Sequence, residues 1–136
     1  MKSLHILYLG LFLLVVSCGS VKTGESGAAA LKNEWILQDN NVAQAGLNSE
    51  PITLIFEAED ANRITGFAGC NWYGGTFSLN DDLINFSQVY STKRACPDLE
   101  TESEFLKLLN DVNRYEIRGN NLYLYKGKLL YLHFKK

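Results

Sequence analysis

The sequence predicts an α+β domain that consists mainly of antiparallel strands with one amphipathic helix. Most of the chain after residue 31 alternates apolar and polar residues with period two, which is the pattern of strands that bury one face. Turn-forming residues interrupt this alternation at short intervals, as they do between antiparallel strands. One segment has helical spacing instead. Residues 31–136 together have the length of one ordinary domain, so they are expected to fold around a single hydrophobic core.

The alternating stretches define the predicted strands in chain order. They are Trp35–Leu37, Ile52–Phe56, Ile64–Ala68, Thr76–Leu79, Leu83–Phe86, Tyr115–Ile117, Leu122–Tyr125 and Leu129–Phe134. Between the fourth and fifth stretches, Asn80, Asp81 and Asp82 tolerate the backbone conformations of a tight turn, so these stretches are predicted to form a hairpin. The last three stretches predict a meander in which the leucines and Phe134 face the core.

A helix is predicted from about Leu99 to Asn113. Four apolar residues recur at helical spacing, namely Phe105, Leu108, Leu109 and Val112. Thr101 and Glu104 have the form of a capping box. The acidic residues of the first turns favour the positive end of the helix dipole. We interpret them in this way rather than as a metal site or an acid–base pair, which would require convergence with other groups in a pocket.

The N-terminal segment has the pattern of a secretory signal. Lys2 precedes an apolar run from Ile6 to Val16, which is too short for the roughly 20 apolar residues of a membrane-spanning helix. Val15-Val16-Ser17-Cys18 resembles the lipobox of bacterial lipoproteins. The resemblance implies a signal peptide at residues 1–17 and acylation of Cys18, for example by palmitate; an ordinary cleaved signal is the alternative. Residues 18–30 then form the lipidated cysteine and a flexible tether, and residues 31–136 form the domain.

The charge pattern narrows the classes of partner. The net charge is −2, and lysines and arginines are scattered rather than gathered into a basic stripe, so no nucleic acid is expected as a partner. The membrane is a partner through the lipid on Cys18. An aspartate after the lipidated cysteine resembles an inner-membrane retention signal, but Gly19 and Ser20 follow Cys18 here. This difference predicts that the protein is in the outer membrane with its domain facing the periplasm.

Cys70 and Cys96 are the two cysteines left once Cys18 is acylated, and they lie 26 residues apart. Disulfides persist outside the cytoplasm, and a loop of this size predicts a stabilisation of roughly 3 to 4 kcal/mol. Two other interpretations stay open at this point. The cysteines are free buried thiols, or they form a metal pair that lacks the further ligands zinc normally takes.

The stretches Gly66–Gly75 and Ser91–Asp98, followed by Phe105–Leu109, resemble the META domain of the HslJ-like heat-shock lipoproteins. Similarity continues at Trp35–Leu37 and Asn121–Tyr125, and so covers nearly the whole predicted domain. The resemblance implies an antiparallel sheet curled into a conical, partly open barrel with one packed helix. It also implies an association with envelope stress and with tolerance of toxic compounds rather than a known reaction.

The function predicted from these features is that of a non-enzymatic envelope-stress or protective binding module, with an envelope protein as partner. Its candidate surface contains Asn71, Trp72 and Arg94, although many relatives carry a polar or charged residue at the Trp72 position. The alternative is a carrier or chaperone that holds an apolar ligand or acyl chain in the barrel. An enzyme is not expected, because His133 is the only histidine after cleavage and no serine has an evident base. No metal or cofactor is expected.

Overall fold

The computed structural model describes residues 27–38, 50–57, 62–97 and 99–136. The predicted signal peptide, Cys18 and most of the tether lie outside these residues. The elements are α1 (Ala28–Leu31), β1 (Glu34–Leu37), β2 (Thr53–Glu57), β3 (Arg63–Phe67), β4 (Trp72–Asn80), β5 (Leu83–Ser91), α2 (Leu99–Asp111), β6 (Arg114–Arg118), β7 (Asn121–Lys126) and β8 (Leu129–Lys135). In the described part of the chain, no helix is both long enough and apolar enough to cross a membrane.

The strands form one antiparallel sheet that curls into a ring. Each strand pairs with the next along the chain, and β8 returns to pair with β1. The ring is weakly joined at one place, because β5 and β6 pair only at Leu83 and Arg114. Helix α2 connects these two strands and packs against β5 and β8. The predicted α+β class and the partly open barrel with one packed helix are therefore confirmed.

Helix α2 is held by its apolar face. Phe105 and Leu109 are fully buried, and the Phe105 ring lies 5.5 Å from that of Tyr73 and 6.4 Å from that of Phe134, between centroids. The helix begins at Leu99, so the predicted capping role of Thr101 is wrong: Thr101 already lies within the first turn. It ends at Asp111, two residues before the predicted end, because the next residues turn into the sheet.

The predicted hairpin is present, and its turn explains its residues. Asn80 pairs with Leu83, and between them Asp81 has a φ of 55°, a left-handed conformation that aspartate tolerates better than most residues. The C-terminal meander is also present, with Leu122, Leu124, Leu132 and Phe134 completely buried as predicted. The same prediction is wrong for Leu130, which is 49% exposed beside the register shift between β7 and β8. In most strands, period-two burial directs one face into the ring.

The interior of the ring is filled by large side chains. Trp35 is fully buried, and its indole Nε1 donates to the backbone oxygen of Leu31 at 2.9 Å. This contact lies in α1, which begins inside the segment predicted as a tether. Gly27 also reaches the domain, where its backbone N donates to the Tyr115 hydroxyl at 2.9 Å. Residues 27–30, assigned to the tether from the sequence, therefore contact the domain.

The packing of Tyr73 requires a glycine opposite it. A Cβ at Gly66 would overlap both the backbone oxygen of Thr53 and the Tyr73 ring. With glycine there, the Tyr73 hydroxyl donates to that same Thr53 oxygen at 2.7 Å. Burial raises the pKa of Tyr73 well above its ordinary value, because the phenolate would be desolvated.

Candidate functional site

A disulfide joins Cys70 to Cys96, with Cα atoms 6.1 Å apart. Cys70 follows β3 in the turn to β4, and Cys96 lies in the loop that leads into α2. Cys70 is buried and Cys96 is half-buried. Of the three interpretations of these cysteines, the structure therefore shows the bridge. It fixes the 92–97 loop, which has no regular secondary structure of its own, against the β3–β4 turn.

Asn71 forms a buried polar hub beside this disulfide. Its side chain is 1% exposed, and its Oδ1 accepts hydrogen bonds from the Arg94 backbone N at 2.6 Å and the Thr92 hydroxyl at 3.0 Å. Its Nδ2 donates to the Arg94 backbone oxygen at 3.3 Å and to Glu102 Oε1 at 3.2 Å. Asn71 therefore lies beneath the surface for which it was a candidate, and it joins three segments of the chain.

Glu102 supplies the helix side of this hub. It is 6% exposed, and its Oε2 accepts the Asn71 backbone N at 2.7 Å. The sequence pattern assigned all acidic residues of α2 to the helix dipole, but Glu102 lies on the inward face with Phe105 and Leu109. The spacing of three between Glu102 and Phe105 is the signal that distinguishes it from the exposed Glu100 and Glu104.

Above the hub, two aromatic side chains remain exposed on the outer face of β4 and β5. Trp72 is 53% exposed and Tyr90 is 60% exposed. The Tyr90 ring covers Gly74, where an added Cβ would lie 2.6 Å from the Tyr90 hydroxyl. Arg94 is exposed in the adjoining loop, and the Trp72 backbone oxygen accepts the Thr92 backbone N at 2.9 Å. We call Trp72, Tyr90 and Arg94 the aromatic ridge.

The base of the ridge is well supported. The Trp72 ring packs edge-on against Phe67, with centroids 5.6 Å apart, and Phe67 is only 7% exposed. The Phe67 backbone N donates to the Thr53 hydroxyl at 3.1 Å. The ridge therefore exposes polar and aromatic groups to solvent, and the disulfide and the contact with Phe67 hold its base in place.

A second set of aromatic residues lies on the outer face of β6, β7 and β8. Tyr123 stacks on His133 with centroids 4.6 Å apart, and the Arg118 guanidinium lies 5.2 Å from the Tyr123 centroid. Arg118 also binds Glu116 through two hydrogen bonds of 2.7 and 2.8 Å, which lower the pKa of Glu116. We call Tyr123, His133, Arg118 and Glu116 the ladder. The Tyr123 ring already contacts both His133 and Arg118, so these side chains satisfy one another on the surface. Exposed pairs of this kind contribute little to stability.

A pocket of about 470 Å³ lies at the seam where β5 and β6 diverge. Its apolar surface comes from Leu79 and Leu83, with the buried Ile84 beneath, and its polar residues include Asn113 and Arg114. Elsewhere in the described ranges, no group of three His, Cys, Asp or Glu side chains is placed to hold a metal ion. The polar chemistry of the described domain therefore lies in the hub, the ridge, the ladder and this seam.

Three solved structures are similar in fold. An NMR structure of a protein from Burkholderia xenovorans has a TM-score of 0.63 and 23% identity, covering 86% of this chain and 92% of that chain. A crystal structure of a DUF4847 family protein from Bacteroides vulgatus has a TM-score of 0.57 and 21% identity, covering 77% and 92%. A further NMR structure has a TM-score of 0.61 and 19% identity, covering 80% and 93%. Identities this low show the fold alone.

None of the curated proteins matches this chain. The META domain family model matches residues 29–136, a range that includes every described strand, the disulfide and the hub. That match spans well over half of the chain. On this basis the chain belongs to the META domain family.

Proposed function

We propose that this chain is a non-enzymatic, lipid-anchored module of the cell envelope that binds an envelope protein through the aromatic ridge. The observation that carries the proposal is the exposure of Trp72 and Tyr90 on a rim fixed by a disulfide and a buried polar hub. Tryptophan, tyrosine and arginine dominate the energetics of protein interfaces. A rigid surface of this composition loses little conformational entropy when a partner binds.

Two independent features support the proposed cellular location. The lipobox-like Val15–Cys18 favours acylation of Cys18, and the disulfide favours an oxidising compartment. Together they support a domain tethered to the outer membrane and facing the periplasm. The resemblance to HslJ-like heat-shock lipoproteins adds the physiological context, which is protection of the envelope under stress.

The alternative of an apolar ligand or acyl chain held inside the barrel is less favoured. Trp35, Phe105 and Phe134 are fully buried within the ring, and neighbouring leucines and isoleucines surround them. An internal ligand would have to displace these side chains from a close-packed core, which costs several kcal/mol. The outer surface is therefore the better place for recognition.

The ridge predicts a contact that crosslinking in intact cells can detect. With benzoylphenylalanine at position 90, we expect ultraviolet light to yield a defined adduct with one envelope protein. Trp72→Ala should reduce the yield at least fivefold, because truncating a central interface aromatic costs about 2 kcal/mol or more. The matched control is Tyr131→Ala, which removes an aromatic ring from β8 and should leave the yield unchanged. An adduct that is insensitive to Trp72→Ala would contradict the proposed surface.

The anchor predicts the fate of a second variant. Cys18→Ala should abolish metabolic labelling with palmitate, and if another signal peptidase cleaves the chain, it should release the domain into the soluble periplasmic fraction. The wild-type chain should be recovered with the outer membrane. Continued labelling of Cys18→Ala would refute the lipobox, and recovery of the wild-type chain with the inner membrane would reverse the sorting prediction.

A further inference from the structure

The seam pocket is separate from the aromatic ridge and has a chemistry of its own. It lies between the β4–β5 hairpin and the β7–β8 turn, beside the single rung that joins β5 to β6. Leu79 and Leu83 provide its apolar surface above the buried Ile84, polar residues of the β4–β5 hairpin complete it, and Arg114 is the only charged residue among those that line it. Its volume of about 470 Å³ lies within the range of small-molecule sites.

Arg114 is held in place without a carboxylate partner in the described part of the chain. Its Nε donates to the Gly127 backbone oxygen at 3.3 Å, and its guanidinium carbon lies 4.0 Å from the centre of the Tyr125 ring. Nearby, Lys126 pairs with Asp111 at 3.3 Å, whereas Arg114 forms no salt bridge with any described carboxylate and acts only as one of the weaker influences that lower the pKa of Glu116. The terminal nitrogens of a planar guanidinium fixed in this way are suited to bind a carboxylate or phosphate.

Exposed apolar side chains lie beside the pocket. The sheet register runs from Leu83 to Arg114, then to Tyr125 and then to Leu130, so exposed leucines lie on both sides of the arginine. Leu83 is 49% exposed, Leu130 is 49% exposed and the neighbouring Leu129 is 66% exposed. An exposed apolar patch beside a pocket is typical of a ligand-binding surface.

We propose that the seam pocket binds a small amphipathic anion. A linear alkyl chain lies along Leu79 and Leu83, and its carboxylate or phosphate group receives hydrogen bonds from Arg114. The apolar surface favours the chain through burial, and the one cation that lines the pocket selects an anionic head over a neutral one. This site does not depend on the aromatic ridge or on a protein partner.

The test uses the mature chain with Cys18→Ala, labelled with ¹⁵N and titrated with decanoate below its critical micelle concentration. We expect saturable amide shifts at Leu79, Ile84, Asn113 and Gly127. Decanol should bind about tenfold more weakly and acetate should cause no shift, because a charged hydrogen bond and the apolar chain both contribute. Decyl phosphate should bind at the same residues, which would show that the head group need only be anionic.

Two variants assign the binding to this pocket. Arg114→Gln should weaken decanoate binding about tenfold, whereas Arg118→Gln, on the same strand outside the pocket, should leave it unchanged. Leu83→Asn, at an exposed position, should weaken decanoate and decanol alike, and it keeps the test decisive if Arg114→Gln impairs folding. Equal losses with Arg114→Gln and Arg118→Gln would overturn the proposal. So would tighter binding of N-acetyl-leucyl-leucine than of decanoate, which would assign the pocket to peptide carboxyl termini.

Discussion

Reduction of the Cys70–Cys96 disulfide is expected to lower the free energy of unfolding by about 2–4 kcal/mol, since the bridge restricts the unfolded chain across a loop of 26 residues. For a domain of about a hundred residues, this loss corresponds to roughly 10–25 °C in melting temperature. Cys96 is only half-buried, so a reductant can reach the bond in the folded protein. A thermal melt with and without dithiothreitol measures the effect.

The double variant Cys70→Ala with Cys96→Ala is the matched control. It should melt near the temperature of the reduced wild type, and dithiothreitol should not change it. Thiol labelling of the denatured, unreduced mature chain carrying Cys18→Ala should find no free thiol. Two titratable thiols in protein taken from the periplasm would contradict the prediction. If the bridge forms and reduction leaves the melt unchanged, native-state strain offsets the entropic gain.

Asn71→Ala is expected to destabilise the domain by about 3–5 kcal/mol, because the buried Glu102 carboxylate loses the Asn71 amide as a donor and the Arg94 backbone N–H loses its acceptor. Five hydrogen bonds of the Asn71 side chain are lost together, because its amide nitrogen donates to Glu102, Cys70 and the Arg94 carbonyl and its oxygen accepts from Thr92 and the Arg94 backbone N. The Asn71 backbone N still donates to Glu102 in this variant. Urea unfolding monitored by circular dichroism measures the change.

Two controls show whether this effect belongs to the hub. Asn110→Ala removes an exposed amide that donates to the Leu106 backbone oxygen at 2.9 Å, and it should cost under about 1 kcal/mol. Asn71→Asp should also destabilise, because its carboxylate faces that of Glu102. Glu102→Gln should rescue Asn71→Asp in part, since the new amide can donate where two carboxylates repelled each other. Additive losses in that pair of variants would show that the two residues do not interact.

The hub also connects stability with the proposed recognition surface. Asn71 binds both backbone groups of Arg94, and Arg94 belongs to the aromatic ridge. Asn71→Ala should therefore reduce crosslinking from position 90 even at temperatures where the variant remains folded. Asn110→Ala should not.

Strands and helix were predictable because each depends on neighbouring residues. Alternation along β7 and β8 identified Leu122, Leu124, Leu132 and Phe134 as core residues, and the structure buries all four, but it leaves Leu130, predicted with them, exposed. The helix and its first residue were predicted from the spacing, but its end was not. The end depends on Asn113, whose backbone N donates to the Tyr125 oxygen at 2.9 Å and so joins the sheet.

Of the candidate site residues, the sequence identified the types but not the arrangement. Asn71, Trp72 and Arg94 all come from the motif stretches of the sequence. Asn71 and Trp72 are neighbours in the chain, yet Asn71 is buried and Trp72 is exposed. Alternation of apolar and polar residues distinguishes the two faces of a strand. It does not predict which residue of the turn before β4 contacts a helix. Glu102 contacts Asn71 across 31 residues, and only the orientation of α2 brings them together.

By itself, the sequence determined the fold class, the strand faces, the helix and the two cysteines available for a bridge, because periodicity and composition act over a few residues. Only the tertiary structure decided the rest. It placed Glu102 against Asn71, left Trp72 and Tyr90 exposed, and opened a pocket between β5 and β6 beside Arg114. These features depend on how the ring closes and where α2 fills the gap, and contacts between segments distant in sequence are set by strand register and packing rather than by local pattern.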